Sequence, residues 1–183
     1  MVDTLYYLYS FAKGIPVITM EISFLITLCT IVIIFAISNN IITVRKWVMI
    51  SILVEYLFLV VCSTVVFRDE NVDTQYNFLP FWTYAPMLEG DTVFIKESLM
   101  NLLLGFPIGV LVSVIINKKQ WWKVLLFGLF ISFSIEVLQF VYKRGYSEFD
   151  DMFHNTVGCL MGYGAYCVVA RYVRKNKVIG RYE

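Results

Sequence analysis

The chain has 183 residues, of which 59% are hydrophobic, 17% aromatic and only 16% charged, with a formal net charge of +1. This composition lies outside the range of ordinary soluble domains and marks a membrane protein. The near-neutral total argues against a nucleic-acid partner, because phosphate binding needs a basic surplus that is missing here.

The opening stretch MVDTLYYLYSFAKG has no basic segment, and no small-residue cleavage pattern follows the first apolar run. No removable signal peptide is expected. Tyr6, Tyr7 and Tyr9 suit a short interfacial anchor. A membrane-crossing helix needs about 20 mostly apolar residues, and five segments reach that length: roughly 15–37, 47–67, 97–116, 121–142 and 153–172. The expected fold class is therefore all-α, a polytopic helical membrane protein of about five transmembrane helices in a single membrane domain over residues 1–183. One connection is long. Residues 68–96 are too rich in Pro, Trp and Tyr for a simple turn, and their centre, NFLPFWTYAPM, is expected to be ordered at the membrane interface. Cys29, Cys62, Cys159 and Cys167 all lie in apolar runs without ligand spacing, which predicts small buried hydrophobes rather than a disulfide or a zinc site.

Basic residues in short loops stay on the cytoplasmic side. Arg45, Lys46, Lys118, Lys119, Lys123, Arg171, Arg174, Lys175, Lys177 and Arg181 fall on one side of the expected topology. Lys13, Arg68, Lys96, Lys143 and Arg144 fall on the other, mixed with eight acids. The N-terminus is thus expected outside and the C-terminus in the cytoplasm, with the long loop (68–96) and the acidic Asp150-Asp151 turn facing outward in a multi-pass cell-membrane protein.

Ionisable residues at the centre of a span cost about 2.5–3.5 kcal/mol on insertion scales, so those present are candidate sites. In the fourth span Glu136, Gln139 and Lys143 share one helical face. With Lys143 at the outer boundary, Glu136 lies about 10 Å below it at 1.5 Å per residue. At that depth an unpaired carboxylate takes up a proton or recruits a cation. The third span carries Glu97, Asn101, Gly105 and Gly109 at spacings of four, and the fifth carries Asp151, Asn155, Gly158 and Gly162 in a similar stripe. The glycines allow another helix to approach closely. Three such stripes are satisfied together by a packed three-helix unit with a polar pocket open to the outside.

Each feature also has a structural reading. Glu97, Asp150 and Asp151 at helix starts suit capping, and Asn101, Gln139 and Asn155 suit interhelical hydrogen bonding. Glu136 suits a pairing with Lys143, Arg144 or Lys96, and Glu55 in the second span is equally open to either reading. His154 has no second histidine, which argues against a metal role.

Three blocks of the chain resemble the VanZ-like family of bacterial membrane proteins. They are NFLPF (Asn77–Phe81), then Asn101 with Pro107 and Gly109, then Glu136xxGln139 followed by Arg144 and by Asp150-Asp151-xxx-Asn155-xx-Gly158. Gly105 stands where a large apolar residue is usual, Glu148 where an aspartate is common, and His154 where an aliphatic residue is usual. The resemblance covers about residues 60–172, a VanZ-like core with the first span outside it. It implies a helical protein of the bacterial cell envelope, the founding member being linked to resistance to glycopeptides such as teicoplanin.

Three functional classes fit these residues. The first is an envelope factor that limits glycopeptide access by binding or modifying a membrane lipid or lipid-linked cell-wall intermediate, with the headgroup among Glu97, Asn101, Glu136, Gln139, Arg144, Asp151 and Asn155. The second is an enzyme on such a lipid, with Glu136 as general base and Asp150 or Asp151 as acid or as ligand to a divalent cation. The third is an ion-coupled transporter, disfavoured because no internal repeat or midplane site is seen. An oligomer is compatible with all three.

Overall fold

The computed structural model describes residues 15–69, 75–116 and 120–179. The expectations placed on Tyr6, Tyr7, Tyr9, Lys118 and Lys119 lie outside them. In lipid every backbone amide and carbonyl must find its partner within the protein, which leaves apolar runs of this length one solution, the helix. The described residues accordingly form helices α1 (Val17–Ile37), α2 (Ile41–Val61), α3 (Tyr84–Leu88), α4 (Thr92–Ile116), α5 (Trp121–Tyr142) and α6 (Phe149–Ile179), with two short strands, β1 (Gln75–Asn77) and β2 (Tyr146–Glu148).

The ends differ from the sequence expectation for local reasons. α2 begins six residues before residue 47 because the Asn40 side chain accepts the Ile42 and Thr43 amides at 2.9 and 3.4 Å. Arg45 and Lys46 therefore sit in the opening turns of a helix rather than in a loop. α4 begins at Thr92, where the Asp91 carboxylate takes the Val93 amide at 2.8 Å, so Glu97 lies within the helix and not at its start. α2 runs on into a π-helical turn, Cys62–Val66. α5 ends on Lys143 in the left-handed conformation, with the Arg144 amide closing back onto the Gln139 carbonyl at 2.9 Å.

Among the described residues, four helices are long and apolar enough to cross a membrane: Val17–Ile37, Ile41–Val66, Thr92–Ile116 and Trp121–Tyr142. The chain is a multi-pass, all-α membrane protein. α6, at 31 residues, has the length to cross, but the polar residues of its first half make it less apolar than those four. That half packs between α4 and α5, and a helix enclosed by protein need not be as apolar as one facing lipid. α1 packs on α2 and is otherwise exposed along its length.

The core is built where α4 and α6 cross. A Cβ on Gly105 would stand 2.0 Å from the Asn155 carbonyl oxygen, and one on Gly109 would stand 1.9 Å from that of Cys159. From the other side, Gly158 and Gly162 lie against the Leu102 and Phe106 carbonyls, each 2.2 Å from a built Cβ. The two backbones thus touch without intervening side chains, the geometry that small residues four apart permit. α5 adds Gly128 over the Cys159 side chain, and α2 closes the unit with Leu53 and with Tyr56, whose hydroxyl donates to the Leu104 carbonyl at 2.9 Å. That carbonyl neighbours Leu103, which loses its helical amide partner to Pro107.

An element that the apolar pattern did not indicate completes the fold. β1 and β2 pair in parallel, with Gln75 opposite Tyr146, Tyr76 opposite Ser147 and Asn77 opposite Glu148. This pairing ties the long loop to the turn between α5 and α6, so both lie at the same end of the bundle.

The packing makes a sharp contrast between glycines. Gly109→Ala is expected to lower stability by about 1–3 kcal/mol, because the added methyl meets backbone that cannot move aside. Gly164→Ala, with open space around its Cα, is expected to be neutral or stabilising by about 1 kcal/mol through helix propensity. Thermal unfolding of the purified protein in detergent separates the two.

Candidate functional site

The end of the bundle that carries the β-pair also gathers the polar residues of four helices. Its foundation is Asp150, which is fully buried. One carboxylate oxygen accepts the Phe81 amide at 2.6 Å, and the other accepts the Thr83 amide at 3.0 Å and the Thr83 hydroxyl at 2.6 Å. These donors belong to the NFLPFWT loop, where the Asn77 side chain accepts the Leu79 amide at 3.0 Å and Phe81 has a φ of 62°. A bulky residue in the left-handed region costs about 1–3 kcal/mol and persists only when its surroundings hold it. Here the buried carboxylate on its amide does so. Asp150 therefore caps another segment and not its own helix.

Asp151, the next residue, points to α4. It accepts from Asn101 Nδ2 at 2.5 Å. One turn further along α6, Asn155 donates to Ser132 Oγ of α5 at 3.0 Å. Ser132 is one turn from Glu136, which is 4% exposed and whose Oε2 accepts the Glu148 amide at 2.9 Å. Ser147 donates to the Glu136 backbone carbonyl at 3.2 Å. Gln139 reaches the Thr64 carbonyl in the π-helical turn at 3.2 Å.

The rim is charged and more open. Glu148 is half-buried and accepts from the Trp82 indole at 3.2 Å. Burial first, and then the Asp151 carboxylate, push Glu148 up to about 7, while the Trp82 hydrogen bond pulls the other way. Glu97 and Arg68 are exposed, and the Arg68 charge acts on both Glu97 and Asp151. Arg68 is held by Gly145, whose φ is 85° and whose Cβ, were there one, would stand 2.4 Å from the guanidinium carbon. Arg144 donates through Nη1 to the Arg68 carbonyl.

Of the residues singled out by sequence, Glu97, Asn101, Glu136, Gln139, Arg144, Asp150, Asp151 and Asn155 all lie at this end of the bundle. Asp150 differs from the rest in having both oxygens occupied by the loop. Glu55 lies apart, on the α1 side, where it accepts the hydroxyls of Ser23 at 2.8 Å and Thr27 at 2.9 Å. His154 is buried against Tyr84, its Nε2 3.0 Å from the phenol oxygen. Among the described residues no group of three or more His, Cys, Asp or Glu could hold a metal ion.

Sequence reasoning missed Thr83, Trp82, Ser132 and the Thr64 carbonyl, none of which carries a signal in a single chain. Arg68 was visible only as a charge on the outer side. Glu148 was visible as the acid of the third motif block, but not as the link between Glu136 and Trp82.

A family model described as VanZ/LLP1 matches residues 22–170, taking in most of α1 and all of α2 as well as the motif blocks. A curated relative, Protein VanZ of Enterococcus faecium, is 26% identical over 109 residues, covering 57% of this chain and 68% of that protein. No solved structure matches.

Two outcomes follow from the geometry. Asp150→Asn sets an amide NH2 against backbone N–H donors and is expected to destabilise by about 2–3 kcal/mol, measured as a lowered unfolding temperature. The raised Glu148 binds its proton more tightly in the folded state. Its contribution is therefore fully present below its ordinary value of 4.5 and lost as pH rises through about 7. Glu148→Gln keeps the Trp82 hydrogen bond, so it is expected to flatten the fall in unfolding temperature across that window and to raise it above pH 7.

Proposed function

The chain belongs to the VanZ/LLP1 family, and from that membership together with its polar cluster we propose an envelope protein that modulates resistance to lipophilic glycopeptides such as teicoplanin. In this reading the cluster faces outward, an orientation that the bias of lysine and arginine to the opposite side supports. It binds or modifies a lipid-linked envelope component in the outer leaflet. The observation that carries the proposal is the gradient of exposure. Glu97 and Arg68 are exposed, Asn101, Glu148 and Asp151 are half-buried, and Glu136, Gln139 and Asn155 are buried. Polar groups that descend from a rim into a helical bundle suit a headgroup that enters from the aqueous face. The exposed Tyr76, Phe78, Leu79 and Phe81 of the neighbouring loop suit an apolar interface beside it.

A second reading, an enzyme acting on the same lipid, is favoured by one further observation. The Asp151 charge acts on both Glu136 and Glu148, so three carboxylates in unlike surroundings lie within electrostatic range, as acid–base chemistry requires. Under that reading Glu136 is the base and Asp151 the acid, and Asp150 supports them by holding the loop.

Glu136→Gln and Asp151→Asn are expected to lower teicoplanin resistance to that of cells lacking the protein while membrane levels stay unchanged. Gly164→Ala leaves both as they are. Susceptibility assays beside membrane immunoblots check this, and full resistance in both acid variants refutes the site. Mass spectrometry of lipids from cells with and without the protein separates the two readings, because a new lipid species appears only if the site performs chemistry.

A further inference from the structure

The cluster described above leaves an acceptor without a donor at its buried end. Gln139 is 4% exposed, and its Oε1 has no hydrogen-bond partner. Its orientation is not interchangeable, because the group facing its Nε2 is the Thr64 carbonyl, which only accepts. Asn155, 6% exposed, faces the Ser132 hydroxyl, which can donate or accept, so its amide can turn to suit either partner. A buried polar atom without a partner costs about 1–3 kcal/mol, and Gln139 Oε1 calls for one complement, a hydrogen-bond donor.

The charge of the surroundings points the same way. The Asp151 charge acts on Glu136 and Glu148, the Glu97 charge acts on Glu148 and Asp151, and the Arg68 guanidinium opposes them at Glu97 and Asp151. The side-chain amide donors already face acceptors: Asn101 on Asp151, Gln139 on Thr64 and Asn155 on Ser132. An anionic phosphate in this place would meet four carboxylates and be met by cations only at the rim. A divalent metal is poorly served, since no three acids converge among the described residues. A quaternary ammonium has the right charge but no N–H to give the orphan oxygen.

We propose that the site takes a protonated primary amine borne by an amphiphile, with the ammonium beside Glu136 and an N–H donated to Gln139 Oε1. This rests on reading the cluster as a ligand site and adds the chemical class of its ligand. The amine belongs either to a membrane lipid headgroup or to a soluble amine.

The test uses the full chain purified in detergent, with native mass spectrometry of retained lipid. Phosphatidylethanolamine, phosphatidylcholine and phosphatidylglycerol with identical acyl chains are compared, and free ethanolamine is added as competitor. Phosphatidylethanolamine is expected to be retained about tenfold more strongly than the other two, the size of one or two charge-assisted hydrogen bonds. Glu136→Gln is expected to remove that preference. Displacement by free ethanolamine supports the proposal with a soluble amine as source, and failure to displace supports it with the lipid as source. Preferential retention of phosphatidylglycerol, lost in Arg68→Gln, overturns the amine while leaving a lipid site in place. Equal retention of all three, unchanged by Glu136→Gln, overturns both the amine and the ligand site.

Discussion

The buried carboxylate of Asp150 is the interaction on which the polar end of this bundle depends. A charge taken out of water is destabilising by several kcal/mol unless its oxygens are met by donors. Here three donors meet it, all from one loop. The requirement runs in both directions. The loop cannot hold Phe81 at positive φ without an acceptor for its amide, and α6 cannot begin with a buried acid unless the loop covers it. Two segments nearly 70 residues apart are therefore folded against each other or not at all, and the parallel β-pair sets the register at which they meet.

The glycine crossing of α4 and α6 supplies the second constraint. Backbone contact at Gly105, Gly109, Gly158 and Gly162 fixes how far along each other these helices sit. With that register set, Asn101 lies opposite Asp151 one turn above the crossing, and the 2.5 Å hydrogen bond follows. Two of the three departures from the family pattern are accommodated within this frame. Gly105, in place of a large apolar residue, lets α4 rest on the Asn155 carbonyl. His154, in place of an aliphatic residue, bonds to Tyr84 beneath the loop.

Membrane energetics explain why the polar groups form a network. Each polar atom away from water must be paired within the protein. Gln139 meets this need through the π-helical turn of α2, an irregularity of a kind that often marks functional sites, by donating to the Thr64 carbonyl there. The atoms that escape this pairing, Gln139 Oε1, Asn155 Oδ1 and His154 Nδ1, all lie near the polar end. The apolar ends of α4, α5 and α6 carry no such orphans among the described residues.

Much of this was legible in the sequence. Runs of apolar residues long enough to cross a bilayer leave helices as the one backbone solution, and the glycine and asparagine spacings marked the faces that pack. The fourth span lies at residues 121–142 as expected, and the eight candidate side chains do gather at one end. Local caps at Asn40 and Asp91, which lie outside the apolar periodicity, moved the starts of α2 and α4. The chain alone thus determined that helices form, which faces are polar, and that Glu136 needed a partner. Only the tertiary structure decided the partners. Asp150 serves the loop and Asp151 serves α4, although adjacent aspartates are chemically identical in a sequence. Their roles separate because successive residues on a helix point about 100° apart, and what lies in each direction is set by segments distant in the chain.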